Sequence, residues 1–181
     1  MKQERVSDGR AWSYPLVVAE IPPEGAVLKL APGEAERAAL ARHAGVLAVP
    51  SLNVDLKILP DGKGGLAITG DLAATVRQNC VVSLDPFDNE VKEQISLRFL
   101  PESATASARA NDEDEGDEPF EVIQGGTIDL GALAAEFLAL GVDPYPRRPG
   151  ALFAPVTGDE GAASSPFAAL AKLKQKGGQG D

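Results

Sequence analysis

Leu52-Asn53-Val54-Asp55-Leu56-Lys57-Ile58 alternates apolar and polar residues without a break. Successive side chains of a strand point to opposite faces, so this pattern predicts a strand buried on one face. Pro60-Asp61-Gly62-Lys63-Gly64-Gly65 follows and reads as a hairpin turn. Leu66, Ile68, Leu72, Ala74 and Val76 continue the alternation on a return strand, with Gly70 at an expected bulge. Cys80 falls on the same parity, and Asp85-Pro86-Phe87-Asp88-Asn89 turns the chain again. Val91, Ile95, Leu97 and Phe99 then make a third long strand, ended by Pro101. Three turn-linked strands predict an antiparallel β-meander, or a partly closed barrel-like sheet, over residues 51–100. Its apolar face needs a cover, and helices supply one, so the expected class is α+β.

Working outward, Tyr14 to Ile21 reads as a first strand, broken by Pro22-Pro23-Glu24-Gly25, and Ala26 to Leu30 as a second. Glu34 to Ala44 reads as a helix, acidic at its start and carrying Arg42 near its end, which suits the helix dipole. Gly45 is its expected stop. Phe120, Val122 and Ile123 predict one more strand. Asp129 is a good N-cap for a helix from Leu130 to Leu140. Its expected buried stripe is Leu130, Leu133, Ala134, Phe137 and Leu140. Asp143-Pro144-Tyr145-Pro146-Arg147-Arg148-Pro149 is too proline-rich for helix or central strand and is expected to run extended over the surface. Ser165-Pro166 opens a short amphipathic helix with Phe167, Leu170 and Leu173. The expected organisation is a flexible N-terminus over 1–13, one α+β domain over 14–150, and a linker, short helix and basic tail over 151–181.

The chain has 181 residues, 44% of them apolar, which suits a globular domain. No run approaches the roughly 20 apolar residues of a membrane span. Met1-Lys2-Gln3-Glu4-Arg5 leads into no apolar stretch, so no secretory leader is expected, and one cysteine cannot form an internal disulfide. The expected location is the cytoplasm. The formal net charge is −10, which argues against non-specific binding to nucleic acid. The acid is concentrated, however: Asp112, Glu113, Asp114, Glu115, Asp117, Glu118 and Glu121 occur together with no base among them. Residues 102–118 are therefore read as a solvated, disordered acidic loop on a nearly balanced body.

Little in the sequence suggests catalysis. His43 is the lone histidine, in the last turn of a helix, with no nucleophile or orienting carboxylate beside it in sequence. Cys80 and His43 cannot make a closed zinc site, which takes about four ligands, and Cys80 reads as a buried small hydrophobe. Asp112, Asp114 and Glu115 lack the full register of a calcium loop. The glycines around Lys63 lack phosphate-loop spacing and precede a strand. Tyr145 with Arg147 and Arg148 is more informative, because a basic-aromatic set on an extended segment suits a phosphate and a stacked base. On composition alone, a solvated connector stiffened by its prolines is the simpler reading.

Three stretches together resemble a known family: Gln78-Asn79-Cys80-Val81-Val82-Ser83-Leu84-Asp85-Pro86-Phe87; Gly126 to Leu140 leading into Asp143-Pro144-Tyr145-Pro146-Arg147; and Ser165-Pro166-Phe167-Ala168-Ala169-Leu170-Ala171-Lys172-Leu173-Lys174. In this order, around an acidic loop, they are similar to the YceD-like family of large-ribosomal-RNA-subunit accumulation proteins. The resemblance implies a non-enzymatic role in biogenesis of the large ribosomal subunit. Some members carry extra cysteines that suit a metal, whereas this chain keeps only Cys80 and has Pro149-Gly150-Ala151 where the late cysteine would fall. No catalytic residue, cofactor, metal or small-molecule substrate is therefore expected. The expected partner is large-subunit ribosomal RNA or a ribosomal protein. Candidate RNA contacts are Tyr145, Arg147, Arg148, Lys172, Lys174 and Lys176. In the alternative reading, an adaptor, Asp112, Glu113, Asp114, Glu115, Asp117 and Glu118 contact a basic ribosomal protein.

Overall fold

A computed structural model describes residues 10–62, 64–105 and 120–153. Residues 106–118 of the expected acidic loop and the expected C-terminal helix therefore lie outside the described residues, whereas the first part of that loop, 102–105, is helical and not irregular. The chain divides into two units, Met1–Ala151 and Leu152–Asp181, and the first holds every element below.

The elements run β1 (Pro15–Val17), a 3-10 turn (Val18–Glu20), β2 (Ala26–Leu30), α1 (Glu34–His43), β3 (Ala48–Asp61), β4 (Gly65–Asn79), β5 (Pro86–Pro101), β6 (Phe120–Ile123), β7 (Thr127–Asp129) and α2 (Leu130–Gly141). Residues 102–105 add a helical turn. The fold is α+β. Strands β2-β3-β4-β5-β6 form one sheet in that order, and β1 pairs with β7 in a separate two-stranded sheet. The meander β3-β4-β5 is antiparallel throughout, with Val54 opposite Leu72 and Leu72 opposite Glu93.

Alternation along these strands does what the pattern predicts. Leu52, Val54, Leu56 and Ile58 of β3, Leu66, Ile68, Leu72, Ala74 and Val76 of β4, and Val91, Ile95 and Phe99 of β5 are buried on one face. Leu40 of α1 and Leu130, Leu133, Ala134 and Leu138 of α2 complete that core. Helix α1 lies against β3, and α2 against β4 and β5. The other face carries exposed polar residues such as Asn53, Asp55 and Lys57 along β3.

Several expectations need correction. The sheet does not close: β2 and β6 are its two edges and do not pair. β6 joins parallel to β5, Arg98 opposite Phe120, because the chain leaves at Pro101 and re-enters at Phe120 in the same direction. A parallel return of that kind needs a connection of a dozen or more residues, and 18 residues separate Pro101 from Phe120. The first strand stops at Val17, since its partner β7 is only three residues long, and β7 itself escaped the sequence reading. Gly70 is no bulge. It sits in continuous register between Leu56 and Ile95, and the irregularity falls between Ala48 and Ser51. A Cβ at Gly70 would overlap the Asp55 carbonyl oxygen, so close approach of β3 explains the glycine. On α2 the buried residues are Leu130, Gly131, Leu133, Ala134, Ala135 and Leu138. Phe137 is only partly buried and Leu140 is 81% exposed. The stripe follows the i, i+4, i+8 row through Leu130, Ala134 and Leu138 and rotates Leu140 outward.

Asp129 caps α2 as expected, accepting from the Gly131 and Ala132 N–H groups at 3.0 and 3.1 Å. It also takes the Tyr14 N–H at 2.8 Å, the Ser13 hydroxyl at 2.7 Å and the Arg10 guanidinium at 2.6 Å. Burial pushes its carboxyl up, but the Tyr14, Ser13, Ala132 and Arg10 donors outweigh that and hold it below the usual aspartate value. A Cβ at Gly131 would come within 2.7 Å of the Tyr14 nitrogen, so glycine lets residues 13–14 lie on the helix start.

Candidate functional site

Strand β4 ends at Asn79, so Cys80 opens a turn and does not sit mid-strand as expected. The turn is closed twice by backbone: the Leu84 N–H donates to the Cys80 carbonyl at 2.8 Å, and the Cys80 N–H to the Asp85 carbonyl at 2.9 Å. This places Leu84 at φ +64°, the left-handed region, where a side chain with a Cβ is disfavoured by roughly 1–2 kcal/mol. Leu84 is nonetheless 76% exposed. A strained, exposed leucine at a turn tip contributes little to the core.

A second segment meets this turn. After α2, the Asp143 side chain accepts the Tyr145 N–H at 2.8 Å, a turn typical of aspartate. Three further hydrogen bonds tie the 143–148 strap to the end of β4. Gln78 Nε2 donates to the Asp143 carbonyl at 2.8 Å. The Val81 N–H donates to the Pro146 carbonyl at 2.9 Å. The Arg148 N–H donates to Cys80 Sγ at 3.4 Å. Ser83 N–H reaches the same sulfur at 3.5 Å. The Arg148 guanidinium lies 3.7 Å from Asp85.

Cys80 is fully buried, as expected of a structural thiol. Its surroundings are nevertheless polar. The Ser83 N–H, and next the Arg148 N–H, bring the thiol down to about 6, against burial, which pushes it up. Gln78 is also buried, and its Oε1 accepts no hydrogen bond among the described residues. Among the described residues no group of three or more His, Cys, Asp or Glu side chains is placed to hold a metal. His43 is exposed at the end of α1.

The strap leaves Tyr145 73% exposed. Arg147 and Arg148 are exposed beside it, and Val81 is exposed on the facing turn. Three candidate contacts, Tyr145, Arg147 and Arg148, thus share one short surface segment. Lys172, Lys174 and Lys176 lie outside the described residues, as do Asp112, Glu113, Asp114, Glu115, Asp117 and Glu118. Sequence reasoning did not place Gln78, Val81, Ser83 and Leu84 at this site. The stretch that carries them had been singled out, but no local pattern announces that it meets the strap.

The two stretches that meet here fall within one family model. Residues 68–174, more than half the chain, match the model described as large ribosomal RNA subunit accumulation protein YceD. The chain belongs to this YceD family. The description ties the family to accumulation of the large ribosomal RNA subunit. No curated protein and no solved structure matches the chain. No described helix is long and apolar enough to cross a membrane.

Proposed function

We propose that this protein is a non-enzymatic factor, acting in the cytoplasm, that supports accumulation of large-subunit ribosomal RNA by binding RNA through the strap bearing Tyr145, Arg147 and Arg148. The observation that carries this reading is the fixed exposure of one aromatic ring and two guanidiniums on a strap tied down by hydrogen bonds from Gln78, Val81 and Arg148. Preorganised aromatic and arginine side chains are the groups that stack bases and grip phosphates. Several cations elsewhere on the described surface are taken up by acids: Lys29 with Asp55, Arg77 with Asp88, Lys92 with Glu90 and Arg98 with Asp61.

The test is salt-dependent binding of the purified chain to large-subunit RNA fragments. Replacing both Arg147 and Arg148 with Ala weakens binding and flattens the salt slope, by roughly 0.7–0.9 log units per log salt for each lost phosphate contact. A second arm deletes residues 111–118. If that deletion abolishes association with pre-ribosomal particles while bare RNA binding is undetectable, the acidic stretch is the contact and the protein is an adaptor.

A further inference from the structure

We propose that the strap surface selects single-stranded RNA, taking one unstacked base on the Tyr145 ring with an adjoining phosphate on Arg147. This rests on the RNA-binding reading above and goes beyond it in naming the form of RNA.

Tyr145 stands between Pro144 and Pro146, two residues of fixed φ. Its own N–H is held by Asp143, and the Pro146 carbonyl by Val81. The ring therefore projects from a backbone anchored on both sides, so little backbone freedom is lost on binding. Its hydroxyl makes no hydrogen bond among the described residues, so a base can cover the ring without breaking one. One exposed tyrosine has no access to a base inside an A-form duplex, where bases are stacked and the major groove is too narrow for side chains. It does have access to a base already splayed out of a loop or single strand.

The charge pattern points the same way. Duplex recognition rests on many phosphate contacts spread over two grooves. Elsewhere on the described surface Lys29, Arg77, Lys92 and Arg98 are each bonded to a carboxylate, and the cations without an ion pair, Arg37, Arg42 and Lys57, are divided between α1 and β3. At the strap, the Arg148 guanidinium is shared with Asp85 at 3.7 Å, whereas Arg147 makes no ion pair among the described residues. Arg147 is thus the primary phosphate contact. Arg148 contributes only after leaving Asp85. Val81 and Leu84, exposed on the facing turn, offer apolar surface to the edge of a base or ribose.

The experiment is fluorescence anisotropy on the full chain with a short unstructured RNA and with the same sequence in a perfect duplex, at low and moderate salt. The single strand should bind more tightly than the duplex. Tyr145→Ala should weaken single-strand binding about tenfold, and Tyr145→Phe should retain it. Arg147→Ala should weaken it more than Arg148→Ala, and Asp85→Asn should tighten it. All four positions are exposed, so an unchanged melting curve separates lost contacts from lost folding. Equal binding of both RNA forms, or binding indifferent to Tyr145→Ala, overturns the single-strand inference and leaves the RNA reading standing. Binding of neither form overturns both.

Discussion

The Cys80 sulfur accepts the Arg148 backbone N–H at 3.4 Å, joining residues 68 apart in the chain. That bond, with the Ser83 N–H on the same sulfur, makes a buried thiol part of the hinge that holds the strap. A thiolate accepts such bonds better than a thiol. The Cys80 value is lowered from 9.0 to about 6, so its contribution is full above the unfolded value and lost as pH falls through the folded one. Protection of the Arg148 amide, corrected for intrinsic exchange, should therefore increase from pH 6 to pH 9. Hydrogen exchange on Cys80→Ala should show a flat profile. An identical rise in that variant would remove the sulfur from the account.

Asp129 offers a second pH-dependent contact, with a built-in reporter. Trp12, the single tryptophan, is buried two residues from Arg10 and next to Ser13, both bonded to the Asp129 carboxylate. That carboxyl is held low, so the stability it confers is present above the unfolded value of about 4 and is lost as pH falls through the lower folded value. Trp12 emission should shift to the red on acidification below about pH 4. Asp129→Ala should lose about 1 kcal/mol from the helix cap alone and release Trp12 already at neutral pH. A Trp12 spectrum unchanged in that variant would show that the N-terminal arm is held by packing.

Helix α2 separates two leucines two residues apart. Leu138 is fully buried, whereas Leu140 faces solvent. Leu138→Ala should cost about 2–5 kcal/mol, and Leu140→Ala should stay within about 0.5 kcal/mol of wild type. Urea unfolding of both variants decides between this face and the one suggested by sequence spacing.

Gly70→Ala should destabilise by roughly 1–3 kcal/mol, the range for forcing an extra carbon into a packed site. The added Cβ meets backbone, the Asp55 carbonyl, and cannot be relieved by a rotamer change. Ala73→Ser, three residues further along β4 and on the exposed face, serves as the control and should unfold at the wild-type denaturant concentration. A Gly70→Ala midpoint equal to that control would mean β3 and β4 separate here at no cost.

Much of the architecture was legible in residue order. Leu52 to Ile58 and Leu66 to Val76 announce their strands because a side-chain period of two is local. Asp129 announces its helix because a cap acts over three residues. The α2 stripe was harder to read: Leu140 fits a helical spacing from Leu133 and Phe137, and only the sheet beneath selects Leu138 in its place. Gly70 misled for a related reason. A glycine inside a strand signals either a bulge or a close neighbour, and the neighbour, Asp55, lies on another strand.

The candidate surface shows the same division. Tyr145, Arg147 and Arg148 declare their chemistry by composition, and Gln78 to Phe87 declares a turn. Residue order thus specified the strands, the helices and the groups fit to contact RNA, since each depends on neighbours a few positions away. Folding alone brought the turn to the strap, aimed the aromatic ring outward and set Cys80 between them. Those contacts span 65 to 68 residues, and they arise because β4 and α2, packed in adjacent layers, bring Gln78 and Cys80 to the chain that leaves the helix.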